Sequence, residues 1–399
     1  MAKPSSQFKT ARSLPAACHI ASDGKRLPTA PMTRSIHDSQ RKVSAERRGS
    51  TGPLVPADGY VATPLCFTSQ LMPRIWGGRA LADVLSYPLP DRVPYGEAWE
   101  LSSLENFASR VADGPHASAR LDDLWTVHQS DFTGRERTAD TIFPWLIKWL
   151  ECRDLLSVQV HPGDRMAQEV LGQASGKSEV WIVLEAGSDA RVMAGLRHGV
   201  SRQNILEHLA AGTLDRCLHS FQPRRGDCIQ LPAGTIHSAG GGLLMAEIQQ
   251  PSDATFRLYD WNRIGLDGQP RPLQVDRALQ AVDWTAGPVW PSVPSVIAVD
   301  NSGVSGELLV DWPEFRIERY SLTTTWTPPH AGELVAWMVV EGSVTFAHCR
   351  SGRQRELLRG RSTLVPASAG QITWSPIGEG SRATLLCIRM ARPSLPDRR

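Results

Sequence analysis

The sequence predicts a mainly β protein: two jelly-roll barrels in tandem, a few helices, and a disordered N-terminal tail. Three observations predict it. Short apolar, β-branched segments recur between Gly, Pro and Asp turns from about residue 60 onward. Helical periodicity is confined to a few short stretches. The C-terminal third repeats the turn pattern of the middle third. E-L-V-A-W-M-V-V-E-G at 333–342 echoes S-E-V-W-I-V-L-E-A-G at 178–187, and G-R-S-T-L-V-P-A at 360–367 echoes G-D-C-I-Q-L-P-A at 226–233.

The predicted strands are 155–160, 180–184, 228–231, 243–249, 315–322, 334–340 and 383–388. Residues 166–172 read as a short helix. Residues 201–212 read as a helix capped by Ser201 and closed by Gly212, with Ile205, Leu206, Leu209 and Ala210 on one face. Residues 272–284 read as an amphipathic bridging helix, and the proline-rich 285–296, with three prolines, as a linker. The expected domains are therefore a basic tail at 1–57, a metal-holding barrel at 58–284 and a metal-free barrel at 285–399. His198 and His208 read as surface histidines, and His330 and His348 do not restore a ligand pattern in the second barrel.

Composition bounds the function classes. A formal net charge of +2 over 399 residues gives no reason to invoke nucleic acid. No apolar run approaches the eighteen or so residues of a membrane span. The charge is unevenly spread: residues 1–57 hold ten Lys/Arg against three Asp/Glu, leaving 33 against 38 for the rest. That tail is too poor in apolar residues to offset its ordering entropy. A Ser- and Arg-rich, acid-poor stretch also fits a transit peptide, and Met32 is an alternative start. The seven cysteines show no C-x-x-C pair, so they read as reduced thiols of a cytoplasmic protein.

The chemistry is carried by four motifs. V-Q-V-H-P-G-D at 158–164 offers Gln159 and His161, two apart and so on one face of a strand. G-K-S-E-V-W at 176–181 offers Lys177 and Glu179, and P-A-G-T-I-H-S at 232–238 offers His237 just past a turn. Two imidazoles, a carboxylate and an amide suit a borderline-soft divalent ion such as zinc, with a position left open for water or substrate. The run A-E-I-Q-Q-P-S-D-A-T-F-R-L-Y-D-W-N-R at 246–263 is unusually polar for a strand. Without a bulge it would place Glu247, Gln249 and Arg257 on one pocket-facing side. Arg257 suits a phosphate or a developing oxyanion.

These motifs resemble the type I mannose-6-phosphate isomerases, zinc-dependent members of the cupin superfamily, and most closely their short bacterial branch. The resemblance begins near P-R-I-W-G-G at 73–78, includes G-E-A-W-E-L-S at 96–102 and runs almost continuously to Arg263. Beyond that it is an outline only, and residues 1–57 have no counterpart. Ser178, Ile182, Pro251 and Ala254 depart from the usual pattern without removing a ligand.

The resemblance implies a double cupin fold and one Zn2+ per chain on Gln159, His161, Glu179 and His237. It implies Arg257 as the active-site arginine and Lys177 in the substrate pocket. The implied reaction interconverts mannose 6-phosphate and fructose 6-phosphate through a metal-stabilised enediolate. Glu247 and Lys177 both remain candidates for the base. The implied partner is a small sugar phosphate, with no nucleic acid and no membrane, in a monomer or homodimer. A non-catalytic sugar-phosphate-binding cupin and an iron-dependent cupin dioxygenase are the competing readings.

Overall fold

The computed structural model describes residues 62–137, 142–378 and 380–391. The expectation for the tail at 1–57 lies outside the described residues. Two antiparallel sheets form the first barrel. The larger runs in the order Cys228–Leu231, Glu179–Ala186, Leu243–Gln249, Leu146–Cys152, Tyr95–Leu101, Gln70–Gly78. The smaller runs Phe256–Tyr259, Val158–Val160, His237–Gly240, Arg191–Leu196, Leu218–Phe221. The second barrel pairs the sheet Ser362–Val365, Val335–Glu341, Ala383–Arg389, Arg316–Leu322, Val304–Asp311, Ser295–Ile297 with the smaller sheet Gln354–Leu357, Val344–His348, Ile372–Pro376.

The two six-stranded sheets are the same sheet twice. Numbered by chain order within each sheet, both run fifth, fourth, sixth, third, second, first. Registers agree as well. Glu247 lies between Lys148 and Trp181, and Cys387 lies between Glu318 and Trp337. Two residues on, Gln249 faces Glu179 while Arg389 faces Val335. The faint repeat in the sequence is therefore a duplication of topology, and an apolar Val335 stands at the place of Glu179.

Strand alternation explains the cores. In the first large sheet, Val180, Ile182, Ala246 and Ile248 point outward and pack with Ile317, Ala336, Met338, Leu386 and Ile388 of the second. Their neighbours Trp181, Val183 and Met245 point into the first barrel, against Val192, Ala194 and Ala239. Because both faces are covered, Leu243–Gln249 and Leu146–Cys152 are buried throughout, charged residues included. The second barrel is filled by Tyr320, Trp326, Trp337, Phe346 and Trp374.

The helices expected at 201–212 and 272–284 form as Arg202–Ala210 and Val275–Ala281, the first with a Ser201–Asn204 capping box. Residues 166–172 become a short turn of α-helix at Asp164–Met166 followed by a π-helical turn to Leu171. The longest helix, Leu121–Thr133, was not anticipated. It buries Leu121, Leu124, Trp125 and Phe132, with Trp125 edge-on to Phe143, and closes at Gly134 with φ 68°. Among the described residues no helix is long and apolar enough to cross a membrane. The six described cysteines are free, and all but Cys349 are buried.

Candidate metal centre and active site

Three neighbouring strands of the smaller sheet bring the first ligands together. Gln159 stands opposite His237 on one side and Arg257 on the other. Glu179 begins a strand of the larger sheet and reaches the same point from the facing wall. His161, Glu179 and His237 are each 1% exposed, and one donor atom from each lies within 4.8 Å of the others. His161 Nε2 is 3.4 Å from Glu179 Oε2, and His237 Nε2 is 3.2 Å from Glu179 Oε1.

The imidazoles are oriented for ligation. His161 Nδ1 lies 2.8 Å from the Ala254 carbonyl, and His237 Nδ1 lies 2.9 Å from the Thr235 carbonyl. A carbonyl only accepts, so each Nδ1 carries the proton and each Nε2 turns a lone pair toward Glu179. Neither oxygen of Glu179 has a hydrogen-bond partner. Buried lone pairs converging on a carboxylate that has no hydrogen bond of its own are costly, and a cation lowers that cost. The donor set therefore fits a borderline-soft divalent ion. Gln159 turns its amide nitrogen toward His237 Nε2 at 3.2 Å, so ligation by Gln159 requires its amide oxygen and nitrogen to exchange places.

Lys177 is brought in by a close loop contact. A Cβ on Gly176 would sit 2.6–2.7 Å from backbone atoms of Pro162, Gly163 and Asp164, so only glycine allows this approach. Lys177 Nζ lies 2.9 Å from Glu179 Oε2, an ion-pair distance without hydrogen-bond alignment, and 3.2 Å from His161 Nε2. Burial and Lys177 push His161 down to about 3. Burial opposes ionisation of Glu179, but Lys177 and the imidazoles hold it well below the ordinary carboxyl range.

A cavity of about 510 Å³ opens onto this cluster, lined by Gln159, Lys177, Glu247 and Arg257 among others. Two further lining residues, Lys148 and Glu97, were missed in the sequence. Lys148 Nζ is 3.1 Å from Glu247 Oε1 and 3.9 Å from Glu97 Oε2, and Arg74 Nη2 is 3.0 Å from the same Glu97 oxygen. Lys177 Nζ is 3.7 Å from Glu247 Oε1. Charge alternates along Arg74, Glu97, Lys148, Glu247, Lys177 and Glu179. Burial pulls Lys148 down, yet Glu247 and Glu97 hold it above the ordinary lysine range. Burial raises Glu247; Lys148 opposes it and Glu179 adds to it, with a net upward shift.

The polar run at 246–263 is not one strand. The Leu243–Gln249 strand ends before Pro251, and Phe256–Tyr259 belongs to the other sheet. Glu247 and Arg257 therefore reach the cavity from different walls, not from one face. Most polar side chains between them brace the loop. Gln250 Oε1 accepts from Ser178 N at 2.8 Å, its Nε2 donates to Asp164 Oδ1, and Gln249 Nε2 donates to the Ser252 carbonyl. Arg257 donates to Ser157 Oγ and the Pro272 carbonyl. Burial and the nearby Arg271 pull its pKa down. Arg271 is paired with Asp260 and lies over Trp76, 4.8 Å from the ring centroid.

Similarity to known proteins agrees with this geometry. Residues 65–207 match the catalytic domain family of type I phosphomannose isomerase. The chain is 32% identical over 263 residues to a mannose-6-phosphate isomerase of Streptococcus mutans, covering 66% of this chain and 80% of the relative. It is 30% identical over 315 residues to a probable mannose-6-phosphate isomerase of Bacillus subtilis, covering 78% and 95%. The crystal structure of the Bacillus subtilis mannose 6-phosphate isomerase superposes with a TM-score of 0.74 at 27% identity, covering 82% of this chain and 99% of that one. With the shared fold and relatives at 30% identity or more covered over 80% and 95% of their length, the chain belongs to the type I phosphomannose isomerase family.

Proposed function

We propose that this protein is an aldose–ketose isomerase that interconverts mannose 6-phosphate and fructose 6-phosphate, with zinc held by His161, Glu179, His237 and Gln159. The observation that carries this reading is that Glu247 and Lys177 line one cavity, with Lys177 2.9 Å from Glu179 in the cluster of three convergent ligands. When bound, the ion supplies Lewis-acid stabilisation of the oxygen charge that develops during isomerisation.

The chain's own groups move the proton. Isomerisation removes a proton from C2 of the aldose and returns one to C1, while the hydroxyl proton passes from O2 to O1, with an enediolate in between. Glu247 is the better-placed base. Its Oε1 has no hydrogen-bond partner, whereas Lys177 is engaged with Glu179 and His161. Lys148 and Lys177 hold the Glu247 carboxylate between two ammonium groups, which keeps it aimed and lets it accept and release a proton in a dry site. Arg257 and Arg271 make the wall beside the cluster cationic, matching a sugar phosphate.

Isomerase activity on both sugar phosphates, with and without a chelator, tests this. Activity in both directions, loss with chelator and recovery with zinc are expected. Tight sugar-phosphate binding by fully loaded protein without isomerisation would sink it, as would bound iron with oxygen consumption.

A further inference from the structure

The second barrel carries a polar cluster at the place where the first carries its reacting groups. By register, Glu318 stands where Lys148 stands and Cys387 where Glu247 stands. His330 joins them from the loop before Val335–Glu341. Glu318 is 2% exposed and Cys387 0%, and the His330 side chain is 10% exposed. One donor atom from each of the three lies within 4.8 Å of the others. This differs from the sequence reading, in which His330 restores nothing and the second barrel holds no ligands. The difference arises because 57 residues separate His330 from Cys387 and only the fold joins them.

We propose that Glu318, His330 and Cys387 form a second site for a borderline-soft divalent ion of the zinc class, independent of the isomerase centre. The His330 and Cys387 donor atoms are unspent, whereas both Glu318 oxygens already accept hydrogen bonds. His330 Nε2 is buried without a hydrogen-bond partner, and Cys387 Sγ makes no hydrogen bond among the described residues. Glu318 is pre-aimed. Arg316 Nε and Arg389 Nη2 each donate to Oε1 at 2.7 Å. Oε2 accepts from Tyr320 at 3.0 Å and lies 3.6 Å from His330 Nε2.

The charge balance matches a dication despite the two guanidiniums. Arg316 and Arg389 are surrounded by three carboxylates: Glu318, Asp311 at 2.6 Å and Glu333 at 2.6 Å. That leaves one net negative charge. Binding breaks the Cys387 S–H bond, the proton leaves to solvent, and the thiolate brings the cluster to two. The surrounding barrel is filled by Trp326, Trp337 and Trp374, so the site has room for an ion and not for a sugar. Its role is to tie the His330 loop to the sheet.

Elemental analysis of the full chain after equilibration with excess Zn2+ and desalting tests the site. Two zinc ions per chain are expected, falling to one in Cys387→Ser and in His330→Ala with isomerase activity unchanged. Loading wild type with Co2+ should give a thiolate-to-cobalt charge-transfer band in the near ultraviolet, which requires no variant to fold. One zinc per chain and no such band would overturn the proposal. Glu179→Gln separates the two readings, because it should lose isomerase activity while keeping the thiolate band.

Discussion

Lys148 Nζ lies 3.1 Å from Glu247 Oε1, and both residues sit on strands buried on both faces. Both side chains are almost wholly buried, so each charge depends on the other. Replacing Lys148 with Met leaves Glu247 facing Lys177 alone. Turnover should fall by roughly 10²–10³-fold with bound zinc unchanged, the range for a disturbed acid–base group. Steady-state kinetics alongside elemental analysis checks this. Wild-type turnover would remove Lys148 from the site.

Glu247→Gln keeps the shape and loses the basic oxygen. Turnover should drop by roughly 10²–10⁴-fold, again with zinc retained. A variant that loses its zinc instead would make Glu247 part of the metal's surroundings and not the proton carrier.

Glu179→Gln removes the one carboxylate between the two imidazoles. The first-barrel metal should be lost and activity with it, and added zinc should restore little. Normal zinc affinity in this variant would contradict the ligand assignment.

Arg257→Lys preserves charge but not the planar fork that Ser157 and the Pro272 carbonyl orient. KM for both sugar phosphates should rise by about tenfold or more, the scale of one lost charge-assisted hydrogen bond. Unchanged kinetics would place Arg257 outside substrate recognition.

Glu97 ties acid stability to the cavity wall. Burial raises its pKa, but Lys148, Arg74 and Trp99 overcome that and bring it down to about 2 from an ordinary 4.5. A carboxyl depressed in the folded state contributes stability in full above its unfolded pKa and loses it as pH falls through the folded one. The contribution should therefore be present above about pH 4.5 and be lost toward pH 2, at about 1.4 kcal/mol per unit. Denaturant unfolding of wild type and Glu97→Gln at several pH values tests it. The gap between them should narrow on acidification, and a constant gap would reject the linkage.

The parts of the site legible in the sequence are those next to turns. His161 precedes Pro-Gly, Lys177 and Glu179 follow Gly176, and His237 follows Pro-Ala-Gly, so each ligand lies beside punctuation that breaks the apolar background. Lys148 was hidden because it interrupts a run of core residues, Leu146 to Cys152, with no turn to mark it. Its only signal is physical: a lysine inside a doubly buried strand needs a carboxylate partner. The 246–263 run misled in the opposite way. Its polarity satisfies loop backbone around Pro251, which composition does not distinguish from pocket-facing chemistry. Seven strands were legible from apolar runs, but others such as Tyr95–Leu101 and Leu146–Cys152, with charged residues inside them, were not. The helix at Leu121–Thr133 was not legible either, because its stripe lies in a polar segment and is completed by Phe143 from beyond it.

The outward faces of the two large sheets are each other's covering. Val180, Ile182, Ala246 and Ile248 meet Ile317, Met338, Leu386 and Ile388 at the centre of the molecule. Tyr87 and Trp149 both donate to the Gly360 carbonyl across the same seam, and Leu65 exchanges two backbone hydrogen bonds with Leu364. Cutting the chain between the barrels would lay bare a broad greasy wall on each half. The catalytic barrel is thus not a portable module. Its lysine–glutamate pair is carried by a sheet whose opposite face the second barrel covers, and a fragment ending near residue 284 should precipitate rather than isomerise.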